Sequence, residues 1–299
     1  MVNLAQVLFQ SFVSGSIYML AAVGLSLTYG LSKFPNFAHA EFITFGAYVA
    51  YAVSVQLGAP VFLAFTVAFL ISGILGASTY ALLFSPLSRR GSSTVQLMVA
   101  SIGLGLIIRH VSIQIWQGGI LSFRIFFPIY RWPQTDPLVS TSLIWLLVMV
   151  DAAVTAAALH LFLTRSRLGK AMRATSDNMD LAMASGINVK GVALQGWFLA
   201  GALAGLSGAS LAAATRLVPL LGWDLLLPAF TVTILGGAGS FYGALAAAYI
   251  VGAAESFGVV GLTALNLSAD YRTAISFVIL ILLLLFRPEG LFKGSRRGD

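Results

Sequence analysis

Residues 192–215 read VALQGWFLAGALAGLSGASLAAAT, an unbroken run without an ionisable side chain. A helix of about 20 apolar residues, rising about 1.5 Å per residue, crosses a hydrocarbon core roughly 30 Å thick. The run is long enough to span a bilayer. Within it Gly201, Ala204, Gly205, Gly208 and Ala209 supply small residues at the spacing that lets helices approach closely. Outward from this stretch, comparable segments occupy 7–30, 36–57, 60–86, 95–116, 138–163 and 271–286. The first has no basic leader and no cleavage site, so it reads as a span and not as a signal peptide. Between 225 and 262 lies another apolar region, broken by Leu235-Gly236-Gly237-Ala238-Gly239-Ser240-Phe241-Tyr242-Gly243. That glycine density predicts two segments joined by a non-helical turn. Such a turn survives at membrane depth only where protein buries it or it lines a polar cavity.

Composition agrees. Apolar types make up 59% of the 299 residues and charged types 9%, against roughly 45–50% and 25% in soluble domains; the mean hydropathy is +0.93. The chain therefore reads as a single all-α domain over 1–299, a polytopic transmembrane helix bundle of about eight or nine membrane segments with discontinuous helices; Phe45-Gly46-Ala47-Tyr48 and Tyr242-Gly243-Ala244-Leu245, each preceded by small residues, suggest an internal pseudo-repeat. A disulfide scaffold, a disordered tail and a nucleic-acid-binding domain are excluded, and zero cysteines remove thiolate chemistry. Counting nine crossings places Lys33, Arg89, Arg90, Arg165, Arg167, Lys170, Arg173, Lys190, Arg287, Lys293, Arg296 and Arg297 on one side. Arg124, Arg131, Arg216 and Arg272 fall on the other. Basic residues collect in cytoplasmic loops, so the N-terminus is expected outside. The stretch 117–137, with Pro128, Pro133 and Pro137, is expected at the outer interface.

Ionisable groups inside spans are costly and few. Asn36-Phe37-Ala38-His39-Ala40-Glu41 opens the second segment after Pro35; Asn36 reads as a helix cap, as a path residue, or both, with Glu41 near the positive end of the helix dipole. Glu255 is expected near the outer interface. Arg109 and His110 read as snorkelling or paired, and Arg272 and Arg287 as snorkelling at the ends of the last span. Gly205-Leu206-Ser207-Gly208 matches a short intramembrane-protease pattern, but no histidine lies in a supporting motif, and helix packing is the commoner use of that spacing. His39-x-Glu41 is half of a zinc-deaminase signature whose cysteines are missing. No G-x-x-x-x-G-K-[ST] phosphate loop occurs. No metal or cofactor is expected.

The largest polar region, 165–191, predicts two short helices. Ser176 or Asp177 caps the second and Gly186 ends it. A basic loop lying on anionic lipid is the alternative to a partner-docking segment.

Together these residues resemble the permease subunits of ATP-binding cassette importers for branched-chain amino acids, of the LivH type, a family that also includes permeases for urea and short amides. The resemblance is carried by Gly15-Ser16-Ile17-Tyr18-Met19-Leu20-Ala21, Tyr29-Gly30, the 36–41 motif with Gly46-Ala47-Tyr48, Ser166-Arg167-Leu168-Gly169-Lys170-Ala171, Ala184-Ser185-Gly186-Ile187-Asn188, the glycine break, and Arg287-Pro288-Glu289-Gly290-Leu291-Phe292. Ala40 stands where many relatives have Gly. The resemblance implies a bacterial or archaeal cytoplasmic membrane, a second related permease, two cytoplasmic ATP-binding subunits and a periplasmic or extracellular solute-binding protein. It implies no catalysis in this chain. The translocation path is expected near Asn36, His39, Glu41, Thr233, Gly236, Gly237 and Ser240. ATPase coupling is expected at Arg167, Gly169, Lys170, Arg173, Asp177, Ala182 and Gly186. The competing expectation is a proton-coupled secondary carrier using His39, Glu41 and Glu255.

Overall fold

A computed structural model describes residues 3–123, 128–133, 139–287 and 290–291. Arg124, Pro137, Pro288, Glu289, Phe292, Lys293, Arg296 and Arg297, named above, lie outside the described residues. The chain runs α1 (Leu4–Ser32), α2 (His39–Tyr51), α3 (Val61–Thr79), α4 (Ser85–Arg89), α5 (Thr94–Trp116), β1 (Ile129–Trp132), β2 (Val139–Ser142), α6 (Leu143–Arg165), α7 (Arg167–Asp177), α8 (Met179–Ala184), α9 (Val189–Ala214), α10 (Leu221–Leu235), α11 (Phe241–Ala264) and α12 (Arg272–Phe286). π-turns extend α2 over Ala52–Gln56 and join α3 to α4 over Tyr80–Phe84. By length and composition seven helical stretches can cross a membrane: α1, α3 through α4, α5, α6, α9, α11 and the stretch ending with α12. α2 and α10 are shorter members of the bundle, so seven full-length spans and two shorter helices stand against the eight or nine membrane segments expected. The protein is a multi-pass membrane protein.

The bundle is built around α1 and α9, which are largely buried. α9 carries the small residues seen in the sequence, and they are used for packing. A Cβ on Gly46 of α2 would lie 2.2 Å from Cα of Gly205, so the two backbones touch there. Ser207 is fully buried and donates to the Ile17 carbonyl at 3.2 Å, a contact between α9 and α1. α11 packs along α1 and α3 along α9, while α5, α2, α10 and α12 sit side by side in that order.

Two details differ from the sequence reading. The outer connection holds an antiparallel pair, Ile129 opposite Ser142 through Trp132 opposite Val139, so one small ribbon accompanies the helices and α6 starts at Leu143 rather than 138. Gln6 ties the ribbon to α1, donating to the Ser140 carbonyl at 3.2 Å and accepting from its amide at 2.8 Å. The second difference concerns Glu255, which is fully buried and not at the interface. It accepts from Tyr18 Oη, Ser276 Oγ and Arg272 Nε, the last at 2.8 Å, and Arg272 also donates to Ser14 Oγ at 2.5 Å. Arg272 therefore turns inward instead of snorkelling, because burying a carboxylate demands a nearby cation.

Candidate functional site

α1 ends at Lys33 in the left-handed conformation. The chain then climbs back into the bundle as a non-helical segment, because Pro35 keeps its predecessor out of the helical region. Phe34 is buried against Phe84 and Trp197, with ring centroids 5.1 and 6.1 Å apart. By the start of α2, His39 Nε2 lies 2.9 Å from the carbonyl oxygen of Ala21. Ala21 sits 11 residues before the end of α1 at Ser32, about 16 Å deeper in the bundle. The first residues of α2 thus lie beside the middle of α1. Asn36 does not cap the helix end as such; its Oδ1 accepts from the Ala38 amide two residues on, at 3.1 Å. Ser101 Oγ of α5 accepts from the Phe37 amide at 3.1 Å.

Glu41 projects from the first turn of α2 toward α5. Its Oε1 accepts from Arg109 Nε at 3.0 Å and from the same guanidinium's Nη2. The guanidinium also stands 5.1 Å from the Trp223 ring of α10. Arg109 is paired, one of the two outcomes expected for it. Asn36 Nδ2, His39 Nδ1, Glu41 Oε2 and Tyr48 Oη are buried and have no protein hydrogen-bond partner among the described residues. These unfilled polar atoms form a polar row along 36–48 that faces two ways, His39 toward α1 and Glu41 toward α5; burying such groups without a partner costs about 1–3 kcal/mol each.

α10 carries the second group. Thr233 Oγ1 donates to the Ala22 carbonyl at 3.2 Å, one residue along α1 from the acceptor of His39. Phe230 packs on Phe37 at 5.2 Å. The structure therefore brings His39 and Thr233 together at the middle of α1, with Asn36 in the turn before α2, while Glu41 faces α5. It does not bring Gly236, Gly237 and Ser240 there. Gly237 and Gly239 have φ of +86° and +91°, values L side chains resist, and they reverse the chain near the inner end of α1. The Gly239 amide donates to Ser26 Oγ at 3.1 Å, and Ser240 caps α11 by accepting from the Gly243 amide. A Cβ on Gly239 would stand 3.0 Å from Ser176 Oγ of α7 and 3.2 Å from Cα of Gly30. The turn touches the inner loop, not the polar row.

The inner loop folds as two short helices. Asn178, rather than Ser176 or Asp177, caps α8 by accepting from the Leu181 amide at 3.0 Å, because Ser176 and Asp177 are taken up in the end of α7. Gly186 ends α8 at φ +78°. Arg167, Lys170, Arg173 and Asp177 are exposed, whereas Gly169 is buried against the end of α6. Ala182 is 3% exposed and turns toward the bundle; Leu181, 65% exposed, points outward. Lys33 Nζ donates to the Ser176 carbonyl at 2.6 Å. Partial burial pulls the Lys33 ammonium below its usual range, an effect that nearby Asp177 opposes.

The sequence reading missed Trp223 over Arg109, for which no local motif exists, and Asp151, a carboxylate within α6 that accepts from Ser210 Oγ at 3.3 Å. An ionisable residue inside the 138–163 span was signal enough to have singled it out.

Residues 7–284 match the family model described as branched-chain amino acid transport system / permease component. A "Probable branched-chain amino acid transport permease protein LivH" of Methanocaldococcus jannaschii is 30% identical over 94% of this chain and 90% of its own length. In Escherichia coli K12 two distinct permeases are similar to it. The high-affinity branched-chain amino acid transport system permease protein LivH is 28% identical over 96% of this chain and 94% of its own. LivM of the same system is 24% identical over 94% and 68%. Among solved structures, PsaBC from Streptococcus pneumoniae in complex with Fab has the same fold, at a TM-score of 0.51 and 16% identity over 94% of this chain and 91% of that one.

Proposed function

Because the chain belongs to the family of branched-chain amino acid transport system permease components, whose members are transport subunits without catalytic activity, we propose that it forms half of the translocation path of an ATP-driven importer for a branched-chain or other small amino acid. The observation that carries the ATP-driven reading is the seat of α7. Ser176 lies against Gly30 of α1 and Gly239 of the glycine turn and accepts from Lys33. A partner pressing on α7 and α8 from the cytoplasm would push α1, which His39 and Thr233 contact, and the glycine turn that follows α10. The exposed cations of α7 and the exposed Leu181 of α8 offer that partner, an ATP-binding subunit, a surface.

The path runs past Asn36, His39, Glu41 and Thr233, with Gly236, Gly237 and Ser240 as the joint beneath them. A guanidinium and a carboxylate side by side complement a zwitterion, whose carboxylate and ammonium carry the opposite charges. Urea or a neutral amide would leave that pair unused. The second permease, related in sequence, completes the path, and a solute-binding protein delivers substrate at the outer end. A proton-coupled carrier is the weaker reading, since Glu255 is held by three donors and is not free to cycle.

Reconstitution decides between them. Proteoliposomes holding this chain, its partner permease and the ATP-binding subunits, with the solute-binding protein added, should take up leucine or a similar amino acid only with internal ATP. Accumulation driven by a proton gradient with the ATP-binding subunits omitted would replace the importer by the carrier. Uptake of urea or acetamide in preference to amino acids would overturn the substrate class.

A further inference from the structure

At the inner end of the bundle a cleft of about 210 Å³ opens between the end of α1, the π-turn and α4, and the starts of α8 and α9. Phe34 and Phe84 form its floor, fixed by their contacts with Trp197 at 6.1 and 4.8 Å. Arg89 and Lys190 stand at its rim, Ser88 joins them, and Met183 of α8 closes one side. The ion pairs among the described residues are Glu41–Arg109 and Glu255–Arg272, so both rim cations lack an acidic partner there. Arg89 ends α4 and Lys190 opens α9, and with the inner loop on the cytoplasmic side, as the distribution of Lys and Arg leads one to expect, both stand where lipid headgroups lie. The cleft is smaller than the roughly 300–1,000 Å³ of sites that enclose a whole drug-sized ligand.

We propose that this cleft holds the phosphate of an anionic phospholipid of the inner leaflet, with Arg89 and Lys190 as its cationic ligands and the aromatic floor against its glycerol and upper acyl carbons. Basic pockets between membrane helices on the cytoplasmic side recognise such headgroups through paired cations over apolar walls. Occupancy bridges α4 and α9 to α8, so the lipid steadies the docking helix from its membrane side. This site stands apart from the polar row and does not depend on the transported solute.

The test uses the full chain, purified with its partners, and native mass spectrometry in the presence of phosphatidylglycerol, phosphatidylcholine or inorganic phosphate. Phosphatidylglycerol should be retained in preference to phosphatidylcholine. The Arg89→Gln/Lys190→Gln variant should bind it roughly 25-fold more weakly, about fivefold for each charge removed. Arg90→Gln/Arg165→Gln, an equal loss of charge outside the cleft, should bind as the wild type does. Ser88→Phe, which occupies the cleft without altering a charge, should also expel the lipid. Equal weakening in both double variants would reduce the effect to surface charge and overturn the site. So would equal retention of the two lipids, or saturation by inorganic phosphate that leaves lipid retention unchanged.

Discussion

Glu41 and Glu255 are chemically the same residue in two different settings. Glu255 accepts from three side chains and has no exposed surface, whereas Glu41 uses one oxygen for Arg109 and leaves the other without a partner. The first is built for stability and the second retains an unused acceptor. Replacing Arg272 by Met should strand the Glu255 carboxylate, at a cost of about 3–5 kcal/mol for breaking a buried pair, with the low end expected because the Arg272 side chain is 33% exposed. The lowered thermal unfolding midpoint in detergent should recover in the Glu255→Leu/Arg272→Met double variant. Glu41→Gln keeps a carbonyl oxygen for Arg109 and nearly the same shape. It should lower the unfolding midpoint less than Arg272→Met does, because the amide oxygen and the Trp223 ring still face the Arg109 guanidinium, while ATP-driven uptake falls at least tenfold, on the order of 1.4 kcal/mol of barrier. A fall in stability that matched the loss of uptake would make Glu41 a structural residue.

At the scale of elements, the glycine turn and α8 carry the mechanical argument. A side chain at Gly239 meets both the left-handed φ and the wall formed by Ser176 and Gly30. Gly239→Val should leave the ATP-binding subunits co-purifying but separate ATP hydrolysis from uptake, with transport per ATP falling several-fold. In α8 the inward turn of Ala182 and the outward turn of Leu181 separate packing of the helix from its docking. Leu181→Glu should weaken capture of the ATP-binding subunits with the fold intact. Ala182→Glu should instead lift α8 off the bundle, visible as faster proteolysis within 177–188 before any partner is added. The reverse pattern, with Ala182→Glu harmless to the isolated chain, would mean that the exposed side of α8 has been misassigned.

For the whole molecule, α5 and α12 leave most of their surface uncovered, with 22% and 11% of their apolar windows buried. Between them α10 and the start of α2 form the floor, and the half-exposed pair Phe37 and Phe230 lies in it. A second permease seated on this face would cover the exposed sides of α5 and α12 and the aromatic pair between them. Because the chain has no cysteine, introduced ones report cleanly. Ile107→Cys on α5 and Val278→Cys on α12, both exposed, should cross-link to cysteines on the partner permease in membranes. Leu161→Cys on α6, equally exposed, should not. Cross-linking confined to α6 would move the partner to the opposite face.

Fold class, membrane location and the nature of the inner loop were legible in the sequence, because they rest on local quantities. A run such as 192–215 must span or be buried whatever surrounds it, Pro35 must interrupt a helix, and Gly186 must end one. The asymmetric distribution of Lys and Arg likewise needs no structure. What the linear order left open was partnership across distance. Arg109 lies 68 positions from Glu41 and Tyr18 lies 237 from Glu255, and no periodicity connects them. Depth was equally out of reach. The glycine break and the Asn36 turn both read as polar interruptions of apolar helices, yet His39 meets the middle of α1 while Gly239 meets its end. Only tertiary packing decides that, since the depth of an interruption depends on where α1 and α7 stop beside it and not on its own residues.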